Sequence, residues 1–308
     1  MKIIFMGTPD FALPTLMALF QSSHEITLVV TGIDKPRGRG RQVIPTPVKV
    51  QALDFGLPVY QPESLKSPEV AAHLEKYAAD LYVVVAFQIL PEAIIEIPGR
   101  GVINLHASLL PLYRGAAPIQ WALLNGEPRT GVTTFFIEKG VDTGDIILQK
   151  TVEIKPEDNA GTLHDKLAVI GAETVLETVK LIDRGAAPRR RQTGDTTGAP
   201  KITREMCQID WKNSVETIMN QIRAFSPHPG AFAYLGDKLV KIYRARQNPA
   251  KSSAKFGSLQ IQEGNRLLGR CGDGWFEILE IQQEGKKKLK TDEFIRGIDR
   301  DMLLAGFH

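Results

Sequence analysis

The chain has 308 residues, of which 43% are hydrophobic and 24% are charged, with 27 glycines, 19 prolines and two cysteines. This composition is typical of a folded globular protein and excludes a disordered, collagen-like or disulfide-stabilised chain. The formal net charge is +3, but residues 209–308 hold 16 basic and 12 acidic side chains, and the preceding residues hold 22 and 23. A basic C-terminal part indicates a polyanionic partner, although an excess of this size is also common on solvated surfaces.

The first residues predict a buried strand followed by a turn. Ile3–Met6 is apolar, carries one charge before it and leads into Gly7 and Pro9, which is unlike a secretory signal peptide. No apolar run reaches the roughly 20 residues that a membrane-spanning helix requires. Because the chain has only Cys207 and Cys271, we expect a cytoplasmic protein that does not contact a membrane.

Short apolar runs alternate with amphipathic stretches over the first two hundred residues. Several of the runs lack a period of two, as expected of strands that are covered on both faces. The predicted strands are Ile3–Met6, Ile26–Thr31, Leu81–Ala86, Val102–Leu105, Val132–Ile137 and Ile146–Ile154. The predicted helices are Phe11–Phe20, Thr46–Phe55, Pro68–Tyr77, Pro118–Asn125 and Thr162–Arg184. This alternation predicts an α/β fold with a doubly wound, mostly parallel sheet, in which ligands bind at the carboxyl ends of the strands.

The C-terminal third has a different pattern. A stretch rich in Pro, Gly and Arg over 184–201 has no periodicity and predicts a linker, and Ser214–Ala224 predicts a helix. Short β-type segments separated by turn residues then predict a small barrel of a kind that often binds nucleic acid. They are Ala231–Tyr234, Val240–Arg244, Arg266–Cys271 and Trp275–Ile281. We therefore divide the chain into a domain over 1–188, a linker over 189–208 and a second domain over 209–308.

Several familiar motifs are missing from the sequence. The first strand is not followed by G-x-G-x-x-G, and the chain has neither a P-loop nor a G-x-S-x-G elbow. Its six histidines and two cysteines never fall at the spacing of a zinc site. We therefore do not expect a dinucleotide, a P-loop nucleotide, a hydrolase elbow or a metal.

Polar residues follow two of the predicted strands. Asn104 and His106 are two residues apart, so they project to the same side of an extended chain. Histidine is the usual proton shuttle, but a structural, half-buried histidine explains the pair about as well. Asp142 lies in a Gly/Asp turn, for which a local hairpin is the simpler interpretation. The alternative is that its carboxylate orients an imidazole.

Together these residues resemble the signature of the 10-formyltetrahydrofolate-dependent formyltransferases. The signature comprises Asn104, His106, Ser108-Leu109-Leu110-Pro111, Arg114-Gly115 and Asp142 within 141–145. Further matches extend the resemblance over nearly the whole chain, toward the branch of the family that acts on methionyl-tRNA. They are Met6–Phe11, Gly115–Gln120, Ile209-Asp210-Trp211 and Arg223-Ala224-Phe225.

The resemblance implies a Rossmann-like catalytic domain, a C-terminal OB-like β-barrel and 10-formyltetrahydrofolate as co-substrate, with no metal. It implies that the formyl group passes to initiator methionyl-tRNA, and we expect the enzyme to act as a monomer. The implied catalytic residues are Asn104, His106 and Asp142. The implied folate pocket is formed by Phe87, Gln88, Ile89, Leu90, Ser108, Leu109, Leu110 and Pro111. The last four form a tight apolar loop, which we expect to contact the folate through its main chain.

Two basic segments suit a nucleic-acid partner. Residues 33–49 carry five bases and one acid directly after a strand, and by the resemblance Arg37, Arg39 and Arg41 would hold the acceptor stem of the tRNA. In the second domain Lys241, Arg244 and Arg246 lie in a stretch, 238–255, that contains no acid. Such a run on an OB-like barrel commonly follows a nucleic-acid backbone, and a solvated surface is the alternative.

Two other functions stay open at this level. The same folate chemistry could formylate a small amine, such as glycinamide ribonucleotide or an amino sugar nucleotide, or could hydrolyse the formyl group. A non-catalytic RNA-binding protein on the same fold is the second alternative. The basic segments and the second domain favour tRNA over a small amine, and the joint presence of Asn104, His106 and Asp142 argues against a non-catalytic protein.

Overall fold

The computed structural model describes residues 1–37, 42–248, 254–298 and 306–308. Contacts between residues divide the chain into two compact units. The first unit comprises 1–116, 129–153 and 164–199, and the second comprises 117–128, 154–163 and 200–308.

Strands and helices alternate along the chain as far as residue 199. The elements up to residue 115 are β1 (Lys2–Gly7), α1 (Leu13–Phe20), β2 (Glu25–Val30), β3 (Lys35–Arg37), β4 (Gln42–Ile44), α2 (Pro47–Asp54), β5 (Val59–Tyr60), α3 (Pro68–Glu75), β6 (Leu81–Val85), α4 (Glu92–Ile95), β7 (Val102–His106) and β8 (Arg114–Gly115). They are followed by α5 (Pro118–Leu124), β9 (Arg129–Phe136), β10 (Ile146–Glu153), α6 (Ala160–Asp183) and β11 (Gly198–Ala199).

Seven of these strands form one sheet, in the order β10-β9-β7-β6-β1-β2-β5. The five strands from β7 to β5 are parallel to one another, and β9 runs antiparallel to both of its neighbours. The chain leaves β1 toward β2 on one side and returns to β6 on the other, so a topological switch point lies between β1 and β6. The predicted doubly wound, mostly parallel sheet is therefore confirmed.

The central strands are covered on both faces, which explains their continuous apolar sequences. Every residue of β6 is buried, and in β1 only Lys2 is exposed. Helix α2 begins where the sequence supplies a cap. The Thr46 hydroxyl accepts a hydrogen bond from the Lys49 amide at 3.1 Å, and Pro47 occupies the first turn.

The basic segment between β2 and α2 contains a pair of short strands in its described residues. Strands β3 and β4 pair antiparallel, with Lys35 opposite Ile44. At its base the Asp34 carboxylate accepts hydrogen bonds from Lys49 and from Gln61. Arg37 is the last residue of β3, and the other two arginines expected to bind tRNA, at positions 39 and 41, lie outside the described residues.

The stretch over 189–199, expected to begin a linker, pairs with strands of the first unit. The main chain of Arg190 exchanges two hydrogen bonds with Ile146 at the start of β10, at 2.8 and 3.0 Å, and β11 pairs parallel to β8. These main-chain bonds hold the segment, so the unit boundary lies between residues 199 and 200.

The second unit is built around an antiparallel sheet. Its C-terminal elements are α7 (Val215–Phe225), β12 (Ala231–Leu235), β13 (Lys238–Asn248), β14 (Leu259–Gln262), β15 (Arg266–Arg270), β16 (Trp275–Gln283), β17 (Leu289–Lys290) and α8 (Thr291–Gly297). The strand order is β12-β13-β16-β15-β14, and β17 also pairs with β16. The pairings found in the described ranges form an open path, so the expected OB-like barrel takes the form of an antiparallel sheet that these pairings do not close.

Helix α7 follows the predicted pattern closely. The Ser214 side chain caps it by accepting a hydrogen bond from the Thr217 amide at 3.1 Å, and Val215, Ile218 and Ile222 are buried along one face. In the part of the chain that the structure describes, no helix combines the length and the apolar character needed to cross a bilayer.

A buried acid on β16 pairs with two arginines of the second unit. The Glu277 side chain is 6% exposed and accepts hydrogen bonds from Arg246, at 2.8 and 3.1 Å, and from Arg266, at 2.9 and 2.7 Å. Burial alone would raise the pKa of the Glu277 carboxyl, but the guanidinium donors outweigh burial and hold this pKa below its ordinary value. Arg246, expected from the sequence to bind tRNA, thus already has an acidic partner.

We predict that Glu277→Gln lowers the free energy of unfolding by about 1–2 kcal/mol at neutral pH, since hydrogen bonds to a charged group are lost and partial exposure of the arginines screens them. Because folding lowers the Glu277 pKa, its stabilisation is present above the unfolded-state pKa and disappears as pH falls through the folded-state pKa. Urea unfolding between about pH 3 and pH 7 should show the two proteins converging at the acid end. The exposed Glu263→Gln serves as control, and a difference that does not vary with pH would contradict the pairing.

Candidate functional site

Asn104 and His106 lie at the carboxyl end of β7, next to the switch point of the sheet. Strand β7 places Asn104 between Val84 of β6 and Phe135 of β9. Because side chains of a strand alternate, Asn104 and His106 project from the same face. Asn104 is half-buried and His106 is buried.

The His106 imidazole is held at one nitrogen and faces a carboxylate with the other. Its Nε2 lies 2.8 Å from the carbonyl oxygen of Tyr113, and since a carbonyl only accepts, Nε2 carries a hydrogen. Its Nδ1 lies 3.7 Å from Oδ2 of Asp142, a distance typical of an ion pair but too long for a hydrogen bond. Nδ1 is therefore the ring nitrogen that is free to accept or release a proton, beside the Asp142 carboxylate.

Asp142 reaches His106 because two loops meet. Asp142 lies between β9 and β10 with a φ of 54°, in the left-handed region, and its Oδ2 accepts a hydrogen bond from the Gly115 amide at 2.9 Å. The site therefore joins the loop after β7 to the loop after β9. This answers the question that the sequence spacing left open, since the Asp142 turn is packed against the histidine.

Two glycines allow these loops to pack closely on the strands beside them. Gly115 has a φ of 121°, and a Cβ there would lie 2.8 Å from the Ala199 carbonyl oxygen on β11. Gly144 packs so tightly on the end of β9 that a Cβ would lie 1.7 Å from the carbonyl oxygen of Phe136. Any side chain at either position would displace a loop that carries the site.

A cleft of about 540 Å³ opens beside Asn104 and Asp142, within the size range of small-molecule sites. Its lining includes all four residues of the first predicted folate segment, and the apolar side chains of Phe135 on β9 and Ile95 on α4. The described lining residues are Val84, Phe87, Gln88, Ile89, Leu90, Glu92, Ile95, Glu96, Asn104, Phe135, Ile137, Glu138, Lys139, Gly140, Val141 and Asp142. Ile89 also lines the cleft, and its side chain is 78% exposed to solvent.

The Asn104 side chain is available for a ligand. Within the described ranges, no protein group hydrogen-bonds its carboxamide, although it lines the cleft. A half-buried amide without a protein partner is costly unless water or a ligand satisfies it. The arrangement offers an amide donor, an imidazole and a carboxylate next to an apolar cleft.

The second predicted folate segment is not among the described lining residues of this cleft, but it packs against residues that are. The hydroxyl of Thr133 donates to the Ser108 carbonyl at 2.6 Å and accepts from the Leu110 amide at 3.1 Å. Gln149 donates to the Leu110 carbonyl at 2.9 Å. Leu109 and Pro111 are half-buried in the same loop, and none of the four residues 108–111 is part of the lining.

This loop supports the cleft from behind. Leu110 packs with Phe135 and Ile137, which do form part of the lining, in a buried apolar cluster. The Ser108 carbonyl and both Leu110 main-chain groups have protein partners, and the expected main-chain contact of this loop with folate stays a prediction.

The three basic residues of β13 that were expected to bind tRNA differ in whether a neighbouring protein group already contacts the charged group. The Lys241 ammonium donates to the Pro229 carbonyl at 2.7 Å, and Arg246 is paired with Glu277. Arg244 is exposed, and among the described residues it has no charged or hydrogen-bonded partner for its guanidinium. Of the three, Arg244 therefore offers the least compensated charge.

Sequence reasoning missed three residues that hold this site together, namely Thr133, Gln149 and Gln192. Gln192 donates to the carbonyls of Asp142 and Gly144, at 2.9 and 2.8 Å. None of the three lies in a motif, and only the pairing of distant segments reveals them. As for metals, no group of three or more His, Cys, Asp or Glu side chains suited to an ion occurs in the residues described.

Comparison with protein families gives two adjacent matches. Residues 1–179 match the formyl transferase family, and residues 201–299 match the formyl transferase C-terminal domain. Methionyl-tRNA formyltransferase of Geobacter metallireducens is 44% identical over 299 residues, which are 96% of each chain. The protein of the same name from Pelotomaculum thermopropionicum is 45% identical, with the same coverage of both chains.

Solved structures share the fold. The sugar 3N-formyl transferase WlaRD, solved with dTDP and 5-N-formyl-THF, superposes with a TM-score of 0.65 at 21% identity over 93% of this chain and 99% of its own. HypX from Aquifex aeolicus, solved with tetrahydrofolic acid, gives a TM-score of 0.66 at 19% identity over 96% of this chain. This chain spans about half, 48%, of HypX.

We predict that Thr133→Val destabilises the loop behind the cleft. The buried hydroxyl would no longer serve Ser108 and Leu110, and such unpaired groups cost about 1–3 kcal/mol. Urea unfolding should report that loss, and hydrogen exchange should accelerate at the Leu110 amide. The exposed Thr151→Val on β10 is the matched control and should be nearly neutral. Unchanged protection of the Leu110 amide would show that Thr133 does not hold the loop.

Proposed function

This chain belongs to the formyl transferase family, and we propose that it transfers the formyl group of 10-formyltetrahydrofolate to the amino group of initiator methionyl-tRNA. The single observation that carries the chemistry is the uncommitted Asn104 carboxamide at a cleft shared with Asp142, whose carboxylate faces His106. The choice of tRNA as acceptor is supported by relatives that carry that activity in their names and match both units.

The residues of the cleft fit a folate. A pterin is flat, largely apolar on its faces and edged with donors and acceptors, and the cleft offers the apolar side chains of Phe87, Leu90 and Phe135. The exposure of Ile89 and of Val141, 78% and 51%, leaves apolar surface for a ligand to cover. We propose that Phe87, Gln88, Ile89 and Leu90 contact the folate directly.

We propose that the second folate segment also belongs to the folate site, and that it supports the wall of the cleft. Ser108, Leu109, Leu110 and Pro111 shape the site from behind, through the contact of Leu110 with Phe135. A polar substitution at position 110 would then disturb folate binding by moving the wall of the cleft.

Asn104 stabilises the charge that develops during transfer. When the neutral amine attacks the formyl carbon, the formyl oxygen becomes negatively charged, and the Asn104 amide donates a hydrogen bond to it. A preorganised donor of this kind typically contributes about 10²–10³ in rate. Because no described protein group competes for this amide, it needs no reorganisation at the moment of reaction.

His106 and Asp142 serve the proton transfer from the attacking amine to N10 of the folate. The new bond joins the amine nitrogen to the formyl carbon, the bond from that carbon to N10 breaks, and the proton lost by the amine must reach N10. His106 takes up this proton at Nδ1, because Nε2 is held by the Tyr113 carbonyl, and passes it on to N10, directly or through a water molecule. Positioned proton transfer of this kind contributes about 10²–10⁴. Asp142 orients the ring through Nδ1, while the Tyr113 carbonyl holds Nε2. The proton balance closes without a metal.

The basic segments supply the contacts to tRNA phosphates. Arg37, Arg39 and Arg41 follow a strand of the catalytic unit, where they could grip the acceptor stem. On the second unit Lys241, Arg244 and Arg246 add association energy, with Arg244 the largest contributor because Glu277 already compensates Arg246. We also propose a cytoplasmic monomer, since one chain supplies all three catalytic residues and aminoacyl-tRNA is a cytoplasmic substrate.

The acceptor can be identified directly. The protein is incubated with 10-formyltetrahydrofolate and, in separate reactions, methionyl initiator tRNA, methionyl elongator tRNA or glycinamide ribonucleotide. Formylation confined to the initiator tRNA supports the proposal. Formylation of the ribonucleotide instead would replace the proposed acceptor by a small amine.

We predict that Asn104→Ala, His106→Ala and Asp142→Ala each lower the single-turnover rate by at least about 10²-fold, while folate affinity stays within a few-fold. Because the three groups serve one transition state, the triple variant should lose far less than the product of the single losses. Rapid-quench formyl transfer and folate titration measure the two quantities. A wild-type rate in His106→Ala would refute the assignment.

We predict a salt dependence that distinguishes neighbouring arginines. Arg244→Ala should flatten the log–log plot of tRNA affinity against salt by roughly 0.7–0.9, the value for one phosphate contact. Arg246→Ala should flatten it less, and the Arg37/Arg39/Arg41 triple alanine variant should flatten it most. Formyl-folate hydrolysis should stay nearly intact in all of them. Equal slopes in all variants and the wild type would show that these bases are solvated surface.

A further inference from the structure

We propose that Gln192 is a positioning residue for the transfer reaction, because it sets the Asp142 carboxylate at His106 from outside the cleft. The inference rests on the proposed function. Gln192 is half-buried, belongs to the stretch that the sequence predicted to be a linker, and is absent from the described lining of the cleft. Its effect on chemistry therefore passes through Asp142.

The side chain of Gln192 uses all of its hydrogen-bonding groups. Its Nε2 donates to the carbonyls of Asp142 and Gly144, at 2.9 and 2.8 Å. Its Oε1 accepts from the Arg114 guanidinium, at 2.6 and 3.2 Å. Carbonyls only accept and a guanidinium only donates, so the amide fits in one orientation alone.

These contacts complete a closed ring of hydrogen bonds beside His106. The Gly115 amide donates to the Asp142 carboxylate, the Asp142 carbonyl accepts from Gln192, and Gln192 accepts from Arg114, the residue before Gly115. Residue 113, one position earlier, holds Nε2 of His106 with its carbonyl. Both nitrogens of the imidazole thus face atoms that belong to this ring or directly precede it.

The strained backbone of the Asp142 turn needs hydrogen bonds such as those from Gln192 to hold it. Asp142 has a left-handed φ, a conformation that non-glycine residues seldom adopt unless the surroundings impose it. Gln192 bonds the carbonyls of Asp142 and Gly144, and so fixes the peptide that directly follows Asp142 and a second peptide of the same turn.

Gln192 itself is anchored on both sides along the chain. Arg190 pairs with Ile146, and the Thr197 carbonyl and hydroxyl accept from the amides of Arg114 and Tyr113, at 2.9 and 2.8 Å. The segment is therefore a rigid support for the loops that carry His106 and Asp142, in a place where the sequence has neither periodicity nor a motif.

The proposal predicts a selective defect in Gln192→Ala. The single-turnover rate of formyl transfer should fall about 10- to 100-fold, because a displacement of about 1 Å in a catalytic group costs as much. The KM for the folate should change less than about threefold, because Gln192 does not line the cleft. Thr193→Ala, an exposed neighbour, is the matched control and should retain the wild-type rate.

A second variant separates loss of the donor from loss of folding. Gln192→Glu keeps the size of the side chain and its contact with Arg114, but turns two donors toward carbonyls into acceptors. It should fold, with a midpoint of thermal unfolding close to that of the wild type, and lose at least as much rate as Gln192→Ala. A wild-type rate in Gln192→Glu would overturn the proposal.

A double-mutant cycle tests whether Gln192 acts through Asp142. In an Asp142→Asn background, Gln192→Ala should cost less than about twofold, because the carboxylate it positions is gone. A general structural role would cost the same factor in both backgrounds, and that result would overturn the proposal.

One readout does not depend on the acceptor. In protein labelled with ¹⁵N-histidine, Gln192→Ala should shift the His106 ring resonances and Thr193→Ala should not. If the wild type formylates only a small amine, the proposed acceptor fails and the cycle is run with that amine. If it formylates nothing, the proposed function fails and the histidine spectrum decides alone. Unchanged His106 resonances in Gln192→Ala would overturn the positioning role.

Discussion

The hydrogen bond from the Gly115 amide to the Asp142 carboxylate joins two loops whose residues are 27 positions apart. One loop follows β7, the strand that carries Asn104 and His106, and the other follows β9. Without this bond, His106 would have a partner at Nε2 but none at Nδ1, and the imidazole would lose the group that distinguishes a catalytic histidine from a structural one. Glycines at 115 and 144 let each loop pack closely on a neighbouring strand, Gly115 on β11 and Gly144 on the end of β9.

Local sequence patterns predicted the helices and strands, but not the hydrogen bonds that connect distant segments. The apolar run Val102–Leu105 became β7, Val102–His106, and the helical spacing over Thr46–Phe55 became α2, Pro47–Asp54. In contrast, Thr133 bonds Ser108 across 25 positions, and Arg114 bonds Gln192 across 78. Such pairs have no period and no composition signal, because their partners are chosen by sheet order and loop packing. For the same reason, the signature residues indicated a site while leaving open whether Asp142 reached it.

The charge of a surface also depends on residues that are distant in the sequence. The stretch 238–255 has no acid, yet β16 brings Glu277, 31 positions away, against Arg246. A buried carboxylate between two guanidinium groups compensates much of the positive charge that a count of bases would suggest, and leaves Arg244 as the charge without an acidic partner among the described residues. The identity of neighbouring strands, not the run of lysines and arginines, decides which charges can meet a polyanion.

The second unit is assembled from stretches that are far apart in the sequence, and this affects its folding during synthesis. Helix α5, with Ile119, Ala122 and Leu123 buried, contacts α7, which lies about a hundred residues later in the chain. At a translation rate of roughly 5–20 residues per second, α5 leaves the ribosome about 5–20 s before its partner. During that interval its apolar face has no α7 to cover it, so the nascent chain presents a binding surface for a chaperone. A fragment that ends at residue 199 would keep that face uncovered permanently.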